Sequence, residues 1–95
     1  MAVLVVGGDY LGNIPGKLKS FGFTRIIHVS GRKRGDWLIE IPSQVEYIIV
    51  LVDYISHGLM GIVKEKTRES GKKTVFARRA WSHIEKALIE GGVEH

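Results

Sequence analysis

Two short, uninterrupted apolar runs constrain this chain more than any other feature. AVLVV at positions 2–6 is closed by Gly7-Gly8, and EYIIVLV at positions 46–52 is closed by Asp53. A strand with one wet face alternates apolar and polar residues. These runs do not, so they read as strands buried on both faces, the setting of a parallel sheet with helices above and below. With 95 residues and a 44% apolar content, the chain has material for one modest core, and it reads as a single domain over 1–95.

The segments between and after these runs supply the rest of an alternating pattern. Asn13-Ile14-Pro15 opens a helix, with Asn13 or Asp9 as the cap and Pro15 acceptable in the first turn. Leu18 and Phe21 turn inward, and Gly22 ends it. Residues 24–30 (TRIIHVS) form the second strand, and residues 32–41 a short helix or turn stopped by Pro42. Residues 56–70 form a helix with Leu59, Ile62 and Val63 on its apolar side and Gly71 as its stop. Residues 73–77 (KTVFA) make a fourth, shorter strand. Residues 80–90 make a last helix with Trp81, Ile84, Leu88 and Ile89 inward. The fold class is therefore α/β: a small three-layer parallel sheet of four strands. The first and third strands, being the most apolar, belong at the centre, which gives order 2-1-3-4, a flavodoxin-like or half-Rossmann sheet.

That architecture predicts the site. Open parallel sheets bind ligands beyond the carboxyl ends of their strands, near the point where strand order reverses. The residues following the strands are Gly7, Gly8, Asp9 and Tyr10; then His28, Ser30, Gly31, Arg32, Lys33 and Arg34; then Asp53, Tyr54, Ser56 and His57; then Arg78, Arg79 and Trp81. Most of the chemically unusual side chains of the chain fall into these clusters. His57, at the start of a helix, is the leading candidate: its imidazole suits a metal ligand or general base, against a local hydrogen bond back to the first loop. His28 is the second candidate ligand, against a half-buried hydrogen-bonded histidine. Arg32, Arg78 and Arg79 offer forked donors to carboxylate or phosphate, where exposed arginines are otherwise simply solvated. Ser56 and Asp53 double as helix caps. Gly7-Gly8-Asp9 lacks the later glycines of a dinucleotide loop and the Lys-Ser or Lys-Thr of a phosphate loop, and Asp9 would repel a phosphate.

Composition narrows the classes. There are no cysteines, which removes disulfides, thiolate metal sites, iron–sulfur clusters and Cys-attached haem. No apolar run approaches the roughly 20 residues of a membrane span, and no secretory leader is evident, so a cytoplasmic location without membrane partners is expected. The formal net charge of +4 favours an anionic partner. Trp37, Tyr47 and Trp81 exceed what so small a core buries easily, and with open sheet edges they predict a homodimer.

Gly7-Gly8-Asp9 after the first strand, the glycine-ended basic segment after His28, Asp53 with Ser56-His57-Gly58, Lys64 on the next helix, and Arg78-Arg79 before the last helix together resemble the bacterial domain-of-unknown-function family 2325. The resemblance covers nearly the whole chain. It implies a small Rossmann-like bacterial domain, found alone or joined to others, and associates it with haem. The expected function is binding of a small anionic, cofactor-like ligand, haem being the specific proposal. Metal ligation would fall to His57 or His28, the propionates to Arg32, Arg78 and Arg79, and the flat faces to Tyr10, Tyr54 or Trp37, with Asp9 and Ser56 nearby. Nucleotide or nucleic-acid binding is the alternative. A small hydrolase using Asp53, Ser56 and His57 ranks last, because no nucleophile elbow accompanies them.

Overall fold

The apolar runs pair with each other, as their lack of alternation requires. In the computed structural model, which describes residues 1–30 and 41–92, β1 (Ala2–Val6) lies between β2 (Arg25–Val29) and β3 (Val45–Leu51), and β4 (Lys73–Ala77) pairs with the far side of β3. All pairings are parallel, in order β2-β1-β3-β4. Every residue of β1 is buried, and so are Ile48, Ile49, Val50 and Leu51 of β3, whereas β2 and β4 at the edges are partly exposed. The predicted helix or turn at 32–41 lies outside the described residues except for Ile41, and Arg32, Lys33, Arg34, Trp37 and His95 lie outside them entirely.

Three helices cover the sheet: α1 (Ile14–Phe21), α2 (His57–Ser70) and α3 (Trp81–Glu90). The connection β1-α1-β2 crosses the sheet in one direction and β3-α2-β4 in the other. Right-handed crossovers in opposite directions put α1 and α2 on opposite faces. One core layer joins Val3, Val5, Ile49 and Leu51 to Leu18 of α1 and Ile84 and Leu88 of α3; the other joins Leu4, Val6, Ile48 and Val50 to Leu59 and Val63 of α2. A register shift between Ala2 and Val3 leaves Glu46 unpaired on β3. This bulge reverses the alternation, so buried Val45 joins the α2 layer with Ile48 and Val50.

Several expectations need adjusting. The third strand ends at Leu51, because neither β1 nor β4 offers a partner to Val52, which begins a 3₁₀ turn, Val52–Tyr54. Asn13 stands at the cap position of α1 but its side chain makes no capping bond. Ile89, expected inward, is 58% exposed, and Thr67 rather than Ile62 completes the buried stripe of α2. Tyr47 meets Phe23 edge-on and Trp81 meets Phe21 edge-on. Both have aromatic partners inside the fold while remaining partly exposed.

Candidate functional site at the carboxyl edge

The first loop is shaped by glycine. Gly7 has φ 110°, and a Cβ added there would stand 2.8 Å from Ile55 Cγ2 and 3.1 Å from the Leu51 carbonyl oxygen. Only glycine combines that backbone angle with so close an approach. The Gly7 N–H donates to the Val29 carbonyl at 2.8 Å, and the Gly8 N–H to the Tyr54 carbonyl at 3.3 Å. The loop after β1 is thereby tied to the strand end on one side and to the turn after β3 on the other.

His28 belongs to this frame. Its Nε2–H donates to the Gly7 carbonyl at 2.9 Å, and the ring is half-buried. The bond back to the first loop that was the alternative for His57 is made by His28 instead. In the neutral ring, donation from Nε2 places the lone pair on Nδ1, so the backbone carbonyl selects the tautomer.

Arg79 ties three loops together. Its backbone N–H donates to Asp53 Oδ1 at 3.1 Å. Its side chain donates to the Tyr10 carbonyl, from Nε at 3.0 Å and also from Nη2, while its guanidinium lies 5.9 Å from the centre of the Tyr54 ring. The loops after β1, β3 and β4 are thus joined through one residue. Two of the guanidinium donors expected to hold an anion already serve the protein itself.

Ser56 caps α2, its Oγ accepting from the Leu59 N–H at 3.2 Å. Asp53 and Ser56 therefore have separate backbone partners, and no hydrogen bond joins either to His57 among the described residues. His57 is exposed at the first position of α2. Arg78 is also exposed, as are Tyr10 at 81% and Tyr54 at 54%. No three His, Asp or Glu side chains among the described residues converge as a metal cage.

An open groove of about 550 Å³ runs beside α1 and β2, lined among others by Asp9, Tyr10, Lys19, Arg25, Ile26 and His28. That volume is in the range of small-molecule sites. The groove unites three sequence candidates, Asp9, Tyr10 and His28. It does not include His57 or Arg78. Lys19 and Arg25 are cations that sequence reasoning missed, because neither follows a strand: one closes α1 and the other opens β2. Their only sequence signal is position: Arg25 is on the strand that carries His28, and Lys19 is in the last turn of the helix before it.

Fold and loop geometry define a doubly wound parallel α/β domain whose polar residues gather at the carboxyl edge of the sheet. No helix among the described residues is long and apolar enough to cross a membrane. The chain belongs to the family described as "Uncharacterized protein conserved in bacteria (DUF2325)", whose model matches residues 2–90. No curated protein and no solved structure matches it.

Proposed function

We propose that this domain binds a small anionic, partly apolar cofactor at the carboxyl edge of its sheet, with haem as the specific candidate. The observation that carries the reading is the brace at Arg79. It spends Asp53 and the Tyr10 carbonyl on fixing three loops, while the Tyr10 and Tyr54 rings, His57 and Arg78 stay exposed around the fixed frame. Fixed loops carrying exposed aromatic and cationic groups are preorganised for a ligand, because less freedom is lost when it binds.

Haem requires an axial nitrogen, cations for its propionates and flat apolar walls. His57 is the leading axial residue, since its ring is exposed and makes no internal hydrogen bond among the described residues. His28 is the reserve through Nδ1, within the groove that also holds Tyr10, Lys19 and Arg25. Arg78 is the exposed cation at the edge. Arg79 acts first as a brace and only second as an anion contact.

Hemin titration tests this. A sharp Soret band is expected, and His57→Ala should shift or abolish it. Arg78→Ala should weaken binding modestly, as an exposed charge pair is worth under about 1 kcal/mol. If His57→Ala leaves the spectrum unchanged and His28→Ala destroys it, the axial ligand is His28. A broad spectrum insensitive to both substitutions rejects haem and moves the reading to a nucleotide.

A further inference from the structure

Away from the carboxyl edge, α2 and the edge strand β4 leave an open groove of about 380 Å³, lined by Lys64, Thr67, Arg68, Lys72, Thr74 and Phe76. Lys64, Thr67 and Arg68 are spaced i, i+3 and i+4 and form one stripe of the helix. Thr74 and Phe76, two apart on a strand, share a face. No acidic residue lines the groove; Glu65 and Glu69 of α2 stand outside it.

Much of the polar chemistry here is already committed. The Lys72 ammonium donates to the carbonyls of Ser43 and Val45, the Thr67 hydroxyl to the Lys64 carbonyl, and the Thr74 hydroxyl to the Lys72 carbonyl. Lys64 and Arg68 are different. They are like charges one turn apart, which repel, and neither has a carboxylate partner among the described residues. Between them and the sheet edge stands Phe76, 41% exposed, with the Lys64 ammonium 5.9 Å from the centre of its ring.

A merely solvated helix face accounts for the cations but not for an exposed phenylalanine beside them. Protection of an edge strand likewise calls for charge and not for an aromatic ring. An apolar docking surface accounts for the phenylalanine but not for cations without carboxylate partners beside it, one of them already over its ring. An aromatic plate flanked by cations is the combination that accepts a base on the ring and phosphates on the charges. We propose that the α2–β4 groove binds single-stranded nucleic acid, with Phe76 as the stacking platform and Lys64 and Arg68 as phosphate contacts. The site is separate from the carboxyl edge, so this inference stands whether or not haem binds there.

The test is fluorescence anisotropy of the whole chain with a labelled oligothymidylate about a dozen nucleotides long, within the span of known single-strand sites. Phe76→Ala should weaken binding about tenfold, the loss of one stacked base, and Phe76→Trp should preserve it. The double variant Lys64→Gln, Arg68→Gln should weaken binding and flatten the salt dependence by about 1.4 in log–log slope, roughly 0.7 for each phosphate. Lys86→Gln removes one positive charge from α3, where Lys86 pairs with Glu90, and should have little effect. Coincident thermal melts would establish that the variants fold. No binding at about 50 mM salt, the low-salt condition that most favours it, overturns the proposal. So does binding indifferent to Phe76→Ala, or tighter binding of an acidic peptide than of the oligonucleotide.

Discussion

Gly7→Ala is the substitution that most directly tests the geometry of the candidate site. Two costs add. Alanine at φ 110° is strained, at about 1–3 kcal/mol for a residue held in a sparsely populated backbone region. Its Cβ would also meet Ile55 Cγ2 at 2.8 Å and the Leu51 carbonyl oxygen at 3.1 Å, and the second of these is backbone that cannot rotate away. Overpacking of that kind costs about 1–3 kcal/mol. The expected loss is thus about 2–6 kcal/mol, against a total stability of about 5–15 kcal/mol for a domain of ordinary stability. At about 4–8 °C per kcal/mol for a domain of this size, thermal unfolding followed by circular dichroism should shift down by about 8–48 °C. Gly61→Ala is the matched control. Gly61 lies inside α2, and a Cβ there meets nothing within 4 Å. That change should stabilise by about 0.5–1 kcal/mol, since alanine is the better helix former. A Gly7→Ala variant melting within about 4 °C of the parent, equivalent to a cost of no more than about 1 kcal/mol, would refute the account of the loop. It would also remove the reason for fixing the Gly7 carbonyl against His28.

Two further predictions concern the same edge. Arg79→Ala removes the side-chain bonds to the Tyr10 carbonyl and the contact with Tyr54 while keeping the backbone bond to Asp53, so the loops should loosen at a cost of about 1–2 kcal/mol; amide exchange should speed up around residues 8–12 and 53–56, and unchanged protection there would contradict the brace. Ser56→Ala removes the side-chain cap of α2 and should cost about 1 kcal/mol in denaturant unfolding, with no change expected if the cap contributes nothing.

The strand order was legible because burial on both faces leaves a one-dimensional mark. A strand between two helical layers can carry no polar residue on either side, so AVLVV and the apolar part of EYIIVLV declare their central positions without any knowledge of neighbours. The location of the candidate site followed, since loops after parallel strands must share one edge. The partnerships within that edge were not legible. In sequence His57 leads His28 as a candidate, and only the pairing of Val6 with Val29 brings the His28 ring to the Gly7 carbonyl. Arg79 and Arg78 are adjacent and chemically alike, yet Arg79 reaches back to Tyr10, 69 positions away, and Arg78 does not. Phe76 reads in sequence as an ordinary interior strand residue. It is exposed because β4 closes the sheet and α2 leaves its outer edge uncovered, which no local pattern records. Residue type and periodicity determine which face of an element is apolar. Hydrogen-bond partners and the exposure of edge residues depend on what the chain places beside them from far away, and that was decided only when the helices packed.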